Sequence, residues 1–456
     1  MRVRIGFGIS ALVIGLALLS PSGEARGTGH VTNHTSTQSP KLRYTFTLSK
    51  TRAFVGEPML FVECAVVNQG TGPVQVTLPR SPQFLQVVSS DGENLQYRGM
   101  YIDSLPWRYP LAPGERYVFA TADLYELYNL DSPDKYRVLA RVEQDNEVQL
   151  GTIEVLAPTG TDAAALAEVP KRTDGGETFL HPYRGDLMQC RRLYYLHPRS
   201  MYAKYARYYD LMSRARNRSD DLARTTRLLQ GLLEQYPQFE GQDSIRLAIA
   251  RCYLKRKMFR RARAIASALL DSEEPMVKHD SISLLSEIEQ QEAKAVQLPP
   301  ADTLMRRLRD TPGDGLAAIQ LSAHEDARAI PLALDLVRTG KNSYAALLLG
   351  RIGRPEVVPA LISVLASDNS YAVNMATKAL EYVVDDTSLP ALIAGLAAEH
   401  PQVRQRCFDV LKWWTGLEFD YHPHGEPAQR QQALSRWQKW LDSFSVDSEL
   451  SDAVQM

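Results

Sequence analysis

The sequence predicts a multidomain chain that is all-β at the front and all-α behind: a β-sandwich followed by an α-solenoid of helical hairpins. Three observations carry this. Leu42, Tyr44, Phe46 and Leu48 alternate with Arg43, Thr45, Thr47 and Ser49, the period of two of a half-buried strand. From about Asp186 the apolar period lengthens to that of helices. Leu349, Leu380 and Leu411 are then 31 residues apart, as are Ala345, Ala376 and Cys407. A fixed interval of that size marks stacked helical units.

Residues 1–25 read as an export signal. Arg2 and Arg4 precede an apolar run over residues 5–19, and small residues lead to an exit after Ala25. No cysteine follows for a lipid anchor and no Arg-Arg pair precedes the run. The expected location is periplasmic or secreted, without stable membrane insertion after cleavage. Residues 26–40, rich in Gly, Thr, Ser and His, read as a flexible tether.

Residues 41–158 carry the strands. Leu60, Val62, Cys64 and Val66 repeat the alternation, and Asn68-Gln69-Gly70 supplies turn chemistry. Val74, Val76 and Leu78 give a third strand, and Phe84, Leu85, Val87 and Val88 a fourth. Asp131-Ser132-Pro133-Asp134 turns into Tyr136, Val138 and Ala140, and residues 149–156 close the set. Short strands at this spacing predict a sandwich of about 120 residues. The segments Val55-Gly56-Glu57-Pro58 and Leu111-Ala112-Pro113-Gly114-Glu115 resemble the Ig-type sandwiches of bacterial exported proteins, and are similar to bacterial proteinase-inhibitor-like β-domains. Residues 159–180 lack a sustained apolar face and read as a linker.

Residues 181–295 form the first helical zone. Ile249, Ala250, Tyr253, Ala262, Ala266 and Leu269 fall on packing positions that resemble a tetratricopeptide repeat. Residues 296–445 form the second zone. Pro359-Ala360-Leu361-Ile362 recurs as Pro390-Ala391-Leu392-Ile393, and Leu349-Gly350-Arg351-Ile352-Gly353-Arg354-Pro355-Glu356 resembles the HEAT repeats of bacterial proteins. Leu434, Trp437, Trp440 and Leu441 share one helical face and are expected to cap the stack, with residues 446–456 as a tail.

Composition narrows the chemistry. The 456 residues carry a formal net charge of −1, which argues against holding nucleic acid by bulk charge. There is no Gly-x-Ser-x-Gly elbow and no Gly-x4-Gly-Lys-Ser/Thr loop. His324-Glu325 begins like a zinc-peptidase helix, but Arg328 stands where the second histidine belongs. No catalytic residue and no cofactor is expected.

Three groups remain as candidates. Asp420, His422, His424 and Glu426 alternate, and in an extended segment would aim four ligands to one side, suited to zinc. The intervening Pro423 and Gly425 suit a capping loop instead. Arg191, Arg192, Tyr195, Arg207 and Tyr208 lie in a stretch of interleaved tyrosines and arginines, a composition suited to binding a protein partner. The other reading of that stretch is a helical core stripe of Tyr194, Tyr202, Tyr205 and Tyr209. Cys407 replaces alanines and reads as a small buried side chain, and Cys190 with Cys252 is open to either a disulfide or two buried thiols.

The reading that follows is a non-enzymatic exported scaffold that binds a protein through its helical-repeat surface. The alternatives are an enzyme or enzyme accessory, lyase-like or a metal-dependent hydrolase, and a protease inhibitor acting through the β-domain.

Overall fold

The computed structural model describes residues 42–78, 82–98, 107–128, 130–143, 146–168, 187–216, 222–272, 274–294 and 298–453. The expected export signal and tether lie outside these residues. So does most of the expected linker. Its first part, residues 160–167, is a helix rather than a linker, because Ala163, Ala164, Ala165 and Ala167 have the highest helix propensity of any residue type. The chain divides into two compact units, one holding the strands and one holding most of the helices.

The strand-rich unit contains β1 (Leu42–Leu48), β2 (Arg52–Phe54), β3 (Phe61–Asn68), β4 (Val74–Leu78), β5 (Leu85–Val88), β6 (Trp107–Leu111), β7 (Arg116–Asp123), β8 (Asp134–Glu143) and β9 (Asn146–Leu156). They form sheets of order β1-β3-β7, β2-β9-β8-β5 and β4-β6, antiparallel except for the parallel β2–β9 pair. Phe46, Val62 and Cys64 of the first sheet share one core with Val87, Val138 and Ile153 of the second. Burying those residues supplies the main driving force of this unit, at about 25 cal/mol for each Å² of apolar surface removed from water. Val66, Val76, Leu78 and Leu111 form a smaller cluster under the third sheet.

The turn motifs fold against each other. Gly114 takes φ +76°, the left-handed conformation open to glycine, and its N–H donates to the Asn68 carbonyl at 2.8 Å. The buried Asn68 side chain accepts from the Gly70 N–H and donates to the Gly72 and Leu111 carbonyls, each at 2.9 Å. Asp123 caps the short α1 (Leu124–Leu127) and also accepts the Met59 N–H, so one buried carboxylate ties β7 to the chain before β3. The strand β7 went unread because Tyr117 and Phe119 are only half-buried and its alternation is weak.

The helix α2 (Gly160–Ala167) follows. Next come α3 (Leu187–Leu196), α4 (Met201–Arg216), α5 (Leu222–Gln235), α6 (Gln242–Lys255), α7 (Phe259–Ala268) and α8 (Pro275–Ala293). Ala250 of α6 and Ala262 of α7 are fully buried, so the two helices of this hairpin approach closely. After α9 (Ala301–Asp310) and α10 (Gly315–Ser322), three hairpins pair α11 (Ile330–Thr339) with α12 (Ala345–Ile352), α13 (Val358–Val364) with α14 (Ser370–Val383), and α15 (Leu389–Gly395) with α16 (Pro401–Thr415). Pro331, Pro359 and Pro390 each sit in the first turn of the leading helix, where a missing N–H costs nothing.

Ala345, Ala376 and Cys407 are all fully buried, as are Leu380 and Leu411, while Leu349 is 1% exposed. Cys407 lies against Gly395, where a Cβ would overlap its sulfur. One repeat earlier the matching positions hold Val364 and Ala376, so the bulk has moved from one helix to the other. Burial raises the Cys407 thiol to about 12, which keeps it protonated and unreactive at neutral pH. Cys407→Ala should cost about 1 kcal/mol and Gly395→Ala about 1–3 kcal/mol, and the double variant should lie closer to the parent than Gly395→Ala does. Urea unfolding of the three variants checks this. Additive losses would show that the two positions do not share a space.

The last helix, α17 (Pro427–Ala453), lies against α15 and continues through most of the expected tail. No glycine or proline after Pro427 stops it.

Candidate functional site

Four of the five arginine and tyrosine candidates lie inside the helical unit rather than on its surface. Arg191, Tyr195, Arg207 and Tyr208 are all buried, and of the five candidates only Arg192 reaches solvent, paired with Glu168 at 2.9 Å. The reason is partners far along the chain. Asp386, in the turn before α15, accepts from Arg207 Nη2 at 2.8 Å and from Trp414 Nε1 at 2.9 Å, and also from the Tyr195 hydroxyl. Burial opposes the Arg207 charge, but Asp386, Tyr195, Tyr194 and Asp210 outweigh it and hold the guanidinium above its ordinary range. Tyr202, Tyr205 and Tyr209 are core residues, as the stripe reading expects.

A second carboxylate, Asp210 on α4, is 1% exposed and accepts from Arg191 Nε at 2.8 Å and Arg214 Nε at 2.9 Å. Burial pushes this carboxyl up, yet Arg214, Arg191 and Arg207 beside it pull it below the usual carboxylate range.

The same helices close the ends of the repeat helices. Arg227 Nη1 donates to the Gly353 carbonyl after α12, Arg224 Nη1 to the Glu381 carbonyl of α14 and the Val384 carbonyl just after it at 2.7 and 2.9 Å, and Arg191 Nη1 to the Trp413 carbonyl of α16 at 2.6 Å. Helix C-termini leave carbonyls without intrahelical partners and carry partial negative charge, so a guanidinium there is favoured twice. Gly353 (φ +65°) and Gly416 (φ +74°) end α12 and α16 in the left-handed conformation. A Cβ at Gly416 would stand 2.7 Å from the Met188 carbonyl oxygen, so glycine also lets α3 approach. Trp440 Nε1 of α17 donates to the Tyr195 carbonyl at 2.8 Å, joining the first and last helices of this unit.

The 420–426 segment is a pair of turns, not an extended strand. Phe419 and Asp420 adopt φ of +48° and +54°, which breaks the alternation the zinc reading required. Asp420 pairs with Arg436 at 2.6 Å, His422 and His424 are exposed, and no group of three metal-ligating residues gathers among the described residues. The loop is clamped from below: Arg404 Nε donates to the Pro423 carbonyl and the Tyr421 hydroxyl to the Leu396 carbonyl. Cys190 and Cys252 are buried thiols with no disulfide between them. The His324-Glu325 pair sits in a turn, where Glu325 binds Arg256.

A different surface is left uncovered on the repeats. Leu316 (59% exposed), Tyr344 (41%) and Tyr371 (48%) stand at the starts of the second helices of successive hairpins, with Ile319 (40%) one turn further along. The Tyr344 ring lies over Gly315 and the Tyr371 ring over Gly340, so each aromatic covers the glycine of the preceding hairpin. Sequence reading missed these residues, since Leu316, Tyr344 and Tyr371, at intervals of 28 and 27, do not follow the 31-residue repeat.

Residues 341–412 match the family model of HEAT repeats. No curated protein matches the chain. Among solved structures, a cryo-EM reconstruction of the native conformation of E. coli alpha-2-macroglobulin is 12% identical, with 87% of this chain and 26% of that chain covered at a TM-score of 0.15. That likeness carries no weight for fold or function. The described residues include no helix long and apolar enough to cross a membrane. The chain carries HEAT repeats behind a strand-rich unit, an architecture suited to protein interaction.

Proposed function

We propose that the protein is a non-enzymatic exported scaffold that binds a protein partner along its HEAT repeats. The observation that carries this is the exposed row of Leu316, Ile319, Tyr344 and Tyr371 along successive hairpins. Aromatic anchors at the centre of an interface supply much of its affinity, and repeat surfaces spread recognition over several hairpins. The C-terminal ends of α12, α14 and α16 are taken up by the chain's own arginines, whereas this row stands at the starts of α10, α12 and α14. The two sheets that share one core support an Ig-like sandwich in front, and the α6–α7 hairpin supports a tetratricopeptide-like segment.

Tyr344→Ser combined with Tyr371→Ser tests the reading. Capture of the partner should fall by tenfold or more, equivalent to about 1.4 kcal/mol, while thermal stability stays near that of the parent. Unchanged capture would place the interface elsewhere. Export is tested by sequencing the N-terminus of the mature protein, expected near Arg26. Recovery of Met1 on membrane-bound material would contradict it.

A further inference from the structure

Charge is unevenly spread along the helices. Residues 244–270 hold eight arginines and lysines and no aspartate or glutamate, in a chain whose formal net charge is −1. Three of the eight are matched by carboxylates: Arg246 by Asp243 at 2.5 Å, Arg263 by Glu292 at 2.5 Å, and the buried Arg256 by Glu325. Arg251 and Lys255 are exposed one turn apart on α6, and Lys255 Nζ donates to the Ala215 carbonyl of α4 at 2.7 Å. Lys257, Arg260 and Arg261, around the turn from α6 into α7, are exposed and meet no carboxylate among the described residues.

Local structure does not ask for cations at these three positions. Lys257 takes φ +58°, the left-handed conformation that favours glycine. Arg260 and Arg261 stand in the first turn of α7, the helix end whose partial positive charge favours acids and disfavours bases, and no acid is there. The Arg261 guanidinium carbon lies 5.6 Å from the centroid of the Tyr253 ring, which holds it in place by cation–π attraction. Where residues run against local preference with no gain to the fold, a functional site is the physical explanation.

We propose that the α6–α7 turn, through Lys257, Arg260 and Arg261, is a docking surface for an acidic segment of a protein partner. A run of Asp and Glu carboxylates complements the exposed charge, and each guanidinium can take one carboxylate by two parallel hydrogen bonds. A lipid surface fits less well, because no large apolar side chain of residues 244–270 is exposed to enter the acyl region. A single-stranded nucleic acid would need open rings to stack on, and Tyr253 is buried. The surface shares no residue with the exposed tyrosine row.

Fluorescence anisotropy of a labelled octaglutamate peptide titrated with the full-length protein at low salt tests this, with octaglutamine as control. The expected result is saturable binding of octaglutamate alone, weakening as salt rises. Lys257→Gly combined with Arg260→Gln and Arg261→Gln should weaken it by tenfold or more. The melting temperature of that variant should equal or exceed the parent's, since each change removes a locally disfavoured group. Arg306→Gln combined with Arg309→Gln and Arg338→Gln removes the same charge elsewhere and should leave binding within about twofold of the parent. Absence of saturable binding up to ~1 mM octaglutamate, or equal weakening by the two triple variants, would overturn the proposal. So would tighter binding to phosphatidylglycerol vesicles or to oligothymidylate than to octaglutamate, which would make the surface one for lipid or nucleic acid.

Discussion

Asp210→Asn is expected to destabilise the helical unit by about 3–5 kcal/mol, a large share of the roughly 5–15 kcal/mol that keeps a domain folded. The carboxylate is 1% exposed and is the shared acceptor of Arg191 and Arg214. Asparagine keeps one oxygen but removes the charge, leaving two guanidiniums in low-dielectric surroundings without their counter-ion. The loss therefore comes from what is stranded, not from the intrinsic worth of the pair. Replacing all three members by apolar residues of similar volume should recover part of the stability, because desolvating the trio is itself expensive. A loss below about 1 kcal/mol for Asp210→Asn in urea unfolding would show that the arginines find other partners at little cost.

The same carboxylate sets an acid limit. Its folded pKa is depressed, so the unfolded chain binds the proton more readily and stability falls as pH falls. The contribution is complete above the unfolded value of about 3.9 and disappears as pH drops through the lower folded value. The stability gap between the parent and Asp210→Asn should be constant near neutrality and should narrow only below pH ~4. Melting temperatures of both proteins between pH 3 and 7 give the comparison. A gap that narrowed near pH 6 would point to a histidine instead.

Local pattern made some of this legible and distance hid the rest. Ala345, Ala376 and Cys407 could be placed in the core because a repeat puts equivalent residues in equivalent surroundings. Cys64 could be placed inward because strand alternation is local. Arg207 looked like a surface residue because its carboxylate partner, Asp386, lies 179 positions away. No periodicity connects two such positions. The Asp210–Arg214 pair is spaced i, i+4 and was the one visible hint that these arginines were internally matched. The 420–426 segment was legible as a loop from Pro423 and Gly425, while the left-handed backbone at Phe419 and Asp420 was not, since neither is glycine. Leu316, Tyr344 and Tyr371 escaped for the opposite reason: apolar residues in a repeat protein read as core until their exposure is known.

Trp437→Ala is expected to lower the stability of the helical unit by about 3–5 kcal/mol. Trp437 is fully buried on α17 and packs edge-on against Phe419 and Trp440, at 4.9 and 5.6 Å between ring centroids. Trp440 in turn stacks on Phe444 and donates to the Tyr195 carbonyl of α3, so truncating Trp437 loosens both the cover over α15 and the closure between first and last helices. The indole Nε1 of Trp437 has no acceptor among the described residues, so its contribution comes from apolar burial and ring contacts rather than from a hydrogen bond. Trp437→Phe should therefore retain most of the stability, losing about 1 kcal/mol for the smaller ring. End hairpins of a stack touch a neighbour on one side only, so damage should begin at α17 and expose the apolar faces of α15 and α16. The strand-rich unit has its own core and should keep its own transition. Differential scanning calorimetry of the whole chain resolves the two. Equal displacement of both transitions, or of neither, would mean that α17 does not close the helical unit.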